Sequence, residues 1–122
     1  MKATELMIGD WVCLKDDTKY ELPLKVYGVL TDDISLEGEG FLGGVDGLIR
    51  PIPITPEILE KNGWWYDVED MWLHDEVNFI IEKWYGRFQC FDINQIKLDS
   101  VHQLQQTLRL CGLNELADNF KI

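Results

Sequence analysis

A chain of 122 residues that is 46% hydrophobic, with five Trp, five Phe and four Tyr, is one domain by length and too apolar for a disordered polymer. Its 11 basic against 22 acidic residues leave a net charge of −11, which argues against a nucleic-acid backbone or an anionic membrane surface, since both need a cationic face. With no signal-like apolar start, no run of about 18 apolar residues and three widely spaced cysteines (Cys13, Cys90, Cys111), one domain over residues 1–122 with reduced thiols in the cytoplasm is expected.

Gly9-Asp10 signals a turn before a strand that places Trp11 and Cys13 on one face and Val12 and Leu14 on the other. Lys15 to Lys19 reads as a polar turn, and Tyr20 to Leu30 as a second strand in which Leu22, Leu24 and Val26 alternate with Pro23, Lys25 and Tyr27. Pro23 has no N–H for a ladder, so it belongs near the strand start or on an edge. Thr31-Asp32-Asp33 turns into a short strand, Ile34-Ser35-Leu36. Glu37 to Gly47 then holds five of the ten glycines. No Gly-Lys-Ser/Thr follows and the stretch carries Glu37, Glu39 and Asp46 without a cation, so a mobile hairpin connection is expected rather than a phosphate loop.

Leu48 to Ile52 is a strand that delivers the chain to the helix with the clearest punctuation. Arg50 and Ile52 precede prolines and are held extended. Thr55 fits the N-cap and Pro56 the first helical position, where a missing N–H is harmless. Ile54 and Leu59 have the spacing of a hydrophobic staple, and Gly63 is placed to stop the helix. After Trp64-Trp65-Tyr66 and the acidic Asp67–Asp70, a meander is expected over residues 71–98. Val77–Trp84 and Arg87–Phe91 form its hairpin, with Tyr85-Gly86 as the turn, Trp84 facing Arg87, Ile81 facing Cys90 and Phe79 facing Asp92. Phe79, Ile81, Phe88 and Cys90 would form its core face, and Trp84 with Arg87 a cation–π pair on the other. Ile93 to Leu98 reads as one more short strand. Ser100 and Gln103 form a capping box, Val101, Leu104, Leu108 and Cys111 follow helical spacing, and Gly112 is the stop, with Asn114 as the cap of a final short helix.

Three blocks, Glu5-Leu6-Met7-Ile8-Gly9-Asp10-Trp11-Val12, Pro51-Ile52-Pro53-Ile54-Thr55-Pro56 through Gly63-Trp64, and Val101-His102-Gln103-Leu104-Gln105 through Leu113, resemble one family. It comprises small uncharacterised proteins of gut-type bacteria, their phages and integrated mobile elements. The resemblance implies a prophage or mobile-element setting and supplies no activity, cofactor or catalytic residue. The glycine-rich 37–47 stretch departs from the family pattern.

His102 is the candidate functional histidine, since it lies in the last of these blocks. Near the exposed N–H groups of a helix start its protonated form is disfavoured. Cys111, nine residues on, lies about 13 Å along the axis, so a Cys–His pair would have to recruit Cys90 through the fold. A packing or capping role is the simpler expectation. His74-Asp75-Glu76 with Glu69 and Asp70 lacks ligand spacing and reads as a solvated turn. Trp64 and Trp65 in an extended segment must point to opposite faces, so one of them lies near the surface, and Trp64, Trp65 and Trp72 are the candidate interaction surface.

The expectation is an α+β domain: an antiparallel β sheet or small SH3-like barrel at the N-terminus, a short central helix, a second β meander and C-terminal helices. Its expected role is a non-enzymatic protein-interaction module of a prophage or mobile element, with a protein partner or self-association, no direct nucleic-acid binding, no membrane, no metal and no cofactor. The alternatives are an acidic nucleic-acid mimic directed at a basic host protein, and a small hydrolase using His102 or His74.

Overall fold

The computed structural model describes residues 5–15, 21–29, 33–36, 40–43, 49–91 and 96–122. Strands β1 (Trp11–Lys15), β2 (Glu21–Val29), β3 (Asp33–Leu36), β4 (Gly40–Gly43) and β5 (Ile49–Arg50) form an antiparallel sheet in the order β4-β3-β2-β1-β5. Helix α1 (Pro56–Lys61) leads into a second antiparallel sheet in sequence order, β6 (Trp64–Tyr66), β7 (Met71–His74), β8 (Ile81–Trp84) and β9 (Arg87–Cys90). Helices α2 (Val101–Leu110) and α3 (Asn114–Asp118) end the chain. The fold is α+β. Among the described residues the first sheet stays open: β5 pairs with β1 through Cys13 and Leu14 alone and no ladder joins it to β4, so the SH3-like barrel does not close.

The period-2 alternation of β1 serves two cores at once. Trp11 and Cys13 face a large core that also holds Leu59, Trp64, Trp72, Ile81, Leu104, Leu108 and Phe120, while Val12 and Leu14 face a small one with Leu6, Val26 and Ile49. Pro23 is tolerated because β2 pairs with β1 up to Lys25 and with β3 from Val26 onward, so Pro23 has a strand on one side. A bulge at Tyr27 interrupts the β2–β3 ladder between the Val26–Leu36 and Gly28–Ser35 pairs.

Helix α1 forms as its punctuation dictates. Thr55 is extended (φ −124°) and its side chain accepts from the Ile58 N–H at 3.2 Å, Pro56 opens the helix, and Gly63 leaves it at φ 94°. The β8–β9 register matches the pairing of Ile81 with Cys90 and Trp84 with Arg87, and Tyr85 (φ 49°) and Gly86 (φ 78°) make the tight turn. Phe79, Ile81, Phe88 and Cys90 are all buried. The strand itself is shorter than the expected Val77–Trp84, and Arg87 bonds Asp99 (3.0 and 2.6 Å) in place of a stack on Trp84, whose ring instead meets Tyr85 edge-on at 5.1 Å.

Three further expectations change. Gly40–Gly43, placed in a loop by its glycines, is β4 and pairs with β3. The strand expected over Ile93–Leu98 is, where described, a single bridge between Lys97 and Gln89. Asn114 is the first residue of α3, which Leu113 precedes as cap. The polar turn at 16–19, the remainder of the 37–47 stretch, and Asp92 opposite Phe79 lie outside the described residues.

A Cβ at Gly63 would lie 2.5 Å from His74 Nε2, whereas one at Gly112 would meet nothing within 4 Å, and both glycines have positive φ. Gly112→Ala should therefore cost only the left-handed backbone strain of about 1–2 kcal/mol. Gly63→Ala should cost clearly more. Urea unfolding of both variants checks the order, and equal midpoints would refute it.

Candidate functional site

The polar residues of the first and last resemblance blocks meet in one place. Gln105 is fully buried on α2, and its amide faces β1 and α3. Its Oε1 accepts from the Trp11 N–H (2.8 Å), and its Nε2 donates to the Gly9 and Ala117 carbonyls (2.8 and 3.0 Å). Asp10, also fully buried, accepts from the Met7 N–H (2.8 Å), Gln106 Nε2 (2.8 Å) and Arg109 Nη1 (2.6 Å). The Trp11 indole donates to the Phe120 carbonyl at 2.7 Å. Gly9 stands at φ 92° with Arg109 Nη2 3.0 Å from where a Cβ would lie. Among the described residues no buried side-chain nitrogen or oxygen lacks a hydrogen-bond partner, which suits the joint to holding the sheet on the helix.

A second clamp joins the middle block to the C-terminus. Asn62 Nδ2 donates to the Ile58 and Lys121 carbonyls (both 2.8 Å), and Asn62 Oδ1 accepts from the Lys121 N–H (2.7 Å). His74 completes it. Its Nδ1 accepts from the Glu76 N–H (3.1 Å), so Nε2 carries the proton and donates to the Asn62 carbonyl (2.8 Å), while the ring meets Trp64 edge-on at 4.8 Å. Both nitrogens are engaged, so His74 offers no free imidazole to the cleft of about 520 Å³ that it lines with Lys61, Glu115 and Lys121. Among the described residues, no group of three or more His, Cys, Asp or Glu side chains is placed to hold a metal ion.

His102 is 7% exposed and borders a groove of about 600 Å³ together with Ser100, Gln103 and Glu5. Gln103 Oε1 accepts from the N–H groups of Asp99 (2.8 Å) and Ser100 (3.2 Å), the reach-back half of the capping box. The Ser100 hydroxyl lies 3.0 Å from His102 Nδ1 and is itself buried. Burial lowers the pKa of His102, opposed by the negative charges of Asp10 and Glu5. Its imidazole is a buried group that shares a hydrogen bond with the Ser100 hydroxyl.

The three tryptophans part company. Trp64 (1% exposed) donates to the Phe79 carbonyl at 3.0 Å and Trp72 (6%) packs edge-on to Phe88, so both belong to the large core and the interaction surface expected on them is absent there. Trp65 points the other way, 42% exposed, with its indole on Asp75 Oδ1 at 3.0 Å. Strand alternation sets Trp65 and Leu73 side by side on the outer face of the second sheet, with Met71 and Glu82, then Gln89, and then Trp84 and Arg87 in neighbouring rows. Ile80 and Phe91, one residue off the inward Ile81 and Cys90, join that face. The sequence places Trp84 on this face, though outside the candidate interaction surface, and Phe91, Met71 and Ile80 were missed; the Phe91 signal was the i, i+2 alternation of the hairpin, which puts it opposite Cys90. No family model, curated protein or solved structure matches the chain.

Replacing Gln105 by Leu keeps the volume and strands the Trp11 N–H and two carbonyls, an expected loss of at least about 3 kcal/mol in urea unfolding. A loss under about 1 kcal/mol would show that water replaces the amide. His102 binds its proton less readily when folded, so the unfolded chain binds more protons as pH falls, and stability should drop below about pH 6.5. His102→Gln should flatten the difference in unfolding midpoint between about pH 7.5 and about pH 5.5, and an unchanged difference would refute this assignment.

Proposed function

We propose that this chain is a non-enzymatic protein-interaction module that docks through the outer face of its second sheet. One observation carries the reading. Leu59, Leu104, Leu108 and Ala117, from all three helices, pack with the inward side chains Trp72, Ile81 and Phe88, whereas Met71, Leu73 and Ile80 on the opposite face belong to neither core. That face therefore has no described helix over it, and it carries exposed Trp65, Trp84 and Phe91. Large aromatics with two χ angles lose little entropy on binding and anchor protein interfaces, which supports a partner site.

The partner's chemistry follows from charge. Arg87 is already paired with Asp99, Glu82 bonds Gln89, and Asp75 stands at the Trp65 end of the face, within a chain of net charge −11. A protein patch that is apolar at its centre and rimmed by Lys and Arg fits best, and a second copy of the same acidic chain fits worse. The prophage or mobile-element setting rests on the sequence resemblance alone. A cytoplasmic location accords with that setting, and no described helix is long and apolar enough to cross a membrane.

The nucleic-acid-mimic alternative is weaker, because Asp10 is buried on Arg109, Asp99 holds Arg87 and Glu82 bonds Gln89, which takes these carboxylates out of any row open to a basic partner. The hydrolase alternative would draw on Ser100 and His102. It is disfavoured by the burial of the hydroxyl, which keeps a substrate carbonyl from approaching.

In a pull-down from nuclease-treated lysate, a protein retained by the native chain should be lost by the folded double variant Trp65→Ser/Trp84→Ser and kept by Tyr27→Ser, which removes a still more exposed aromatic from the first sheet. Retention by the double variant would remove the outer face from consideration, and capture of nothing by the native chain would count against the module itself.

A further inference from the structure

The two edges of the second sheet are finished differently. On the β9 side the chain covers its own edge: the Cys90 N–H donates to the Ile96 carbonyl (2.8 Å), the Leu98 N–H donates to the Phe88 carbonyl (2.9 Å), and Gln89 bridges to Lys97. On the β6 side no described strand pairs beyond Trp64–Tyr66. The register shows which groups face that edge. The Asp67 N–H donates to the Met71 carbonyl (2.7 Å), and antiparallel alternation then makes Trp65–Leu73 the next hydrogen-bonded pair. The Lys83 N–H donates to the Asp70 carbonyl (2.8 Å), so Asp70 and Trp72 turn their backbone groups toward β8 and leave Met71 and Leu73 for β6, in the same phase. Trp64–His74 and Tyr66–Trp72 are therefore the non-hydrogen-bonded pairs, and the N–H and C=O of Trp64 and Tyr66 point away from β7. Tyr66 and Val68 are exposed, so an incoming backbone can reach Tyr66.

An unpaired edge is a template for another strand, and the side chains along it restrict which strand fits. Alternation puts Asp67 on the outer face with Trp65. Neither the Asp67 nor the Glu69 carboxylate takes a hydrogen bond or an ion pair among the described residues. A strand laid antiparallel on β6 would exchange both main-chain bonds with Tyr66. Its residues opposite Trp65 and Asp67 would occupy the closer, non-hydrogen-bonded positions on the outer face. The first of these meets an exposed indole and the second a carboxylate that has no counter-ion. A second copy of the chain would bring another net charge of −11 to the same edge, which like-charge repulsion opposes.

We propose that β6 is extended by a strand of a partner protein that runs antiparallel to it, with an apolar residue opposite Trp65 and a lysine or arginine two residues earlier, opposite Asp67. The main-chain bonds at Tyr66 hold the strand, and the Asp67 carboxylate selects its charge and direction. This rests on the reading of the second sheet as the docking element and adds where the partner's backbone lies, since its apolar side chain continues the outer-face row of Trp65 and Leu73.

The full chain, labelled with ¹⁵N, is titrated with the acetylated and amidated peptide Thr-Lys-Thr-Val-Thr and with its counterpart carrying Glu in place of Lys. A saturable shift centred on the Tyr66 amide, with a Kd on the order of 1 mM, is expected for the lysine peptide, and binding about tenfold weaker for the glutamate peptide. Asp67→Lys should reverse that order. Tyr66→Pro removes an N–H that no ladder uses and should abolish the response, followed at the Trp65 amide. No saturable shift with the lysine peptide overturns the proposal, as do equal affinities for the two peptides, an unchanged order in folded Asp67→Lys, or undiminished binding by folded Tyr66→Pro. A dimer by sedimentation whose Tyr66 amide is protected from exchange without peptide also overturns it, because the edge then belongs to a second copy. Failure here would leave the sheet-face module standing, since its pull-down depends on the Trp65 and Trp84 side chains, which both variants retain.

Discussion

The fold depends on one buried amide. Gln105 sits in the middle of α2 and satisfies main-chain groups of Gly9, Trp11 and Ala117 at once, which ties the first sheet and α3 to the same helix. The contact is needed because β1 has no free apolar face to spare. Its two faces already belong to different cores, and the start of the strand meets α2 through its backbone edge. A backbone edge brought against a helix without polar partners would leave unpaired N–H and C=O groups, each costing about 1–3 kcal/mol. Asp10 and Arg109 extend the same solution outward. Burying that ion pair adds little net stability, since desolvation offsets the attraction, but it penalises any other register of strand on helix.

This arrangement ties together three separate blocks of the sequence. Gly9-Asp10-Trp11 and Gln105 with Gln106 touch each other, and the middle block reaches the C-terminus through Asn62 and the Lys121 backbone. Residues that serve as mutual hydrogen-bond partners across the chain are constrained together, whatever the molecule binds. The same blocks therefore carry the architecture. The exposed aromatics Trp65, Trp84 and Phe91 lie elsewhere, on the outer face of the second sheet.

Local signals read well where a single residue's chemistry decides its conformation. Thr55-Pro56 and Gly63 bounded α1, Ser100 and Gly112 bounded α2, and the Tyr85-Gly86 turn set the hairpin register, because caps, prolines and left-handed glycines act through their own backbone. The glycine content of residues 37–47 misled in its described part, since pairing with β3 outweighs glycine's weak strand preference at Gly40–Gly43. The cation–π pair expected at Trp84 lost to Asp99, which offers Arg87 two charge-assisted hydrogen bonds in place of a ring face. The candidate site was half legible. Alternation required Trp64 and Trp65 to diverge but carried no information on which of them faces the helices.

What the sequence determined by itself was the set of elements, most of their ends, the amphipathic faces and the acidic balance, since each follows from covalent geometry, hydrogen-bonding capacity or charge within a few residues. The tertiary structure decided which face of each strand is covered, that the first sheet stays open among the described residues, that Gln105 and Asn62 are clamps rather than surface amides, and that both ring nitrogens of His74 are engaged. These outcomes depend on groups distant in sequence reaching hydrogen-bond distance, as Gln105 does with Trp11 and Asn62 with Lys121. A residue's type states what it can bond to, and the packing of the whole chain settles which partner is within reach.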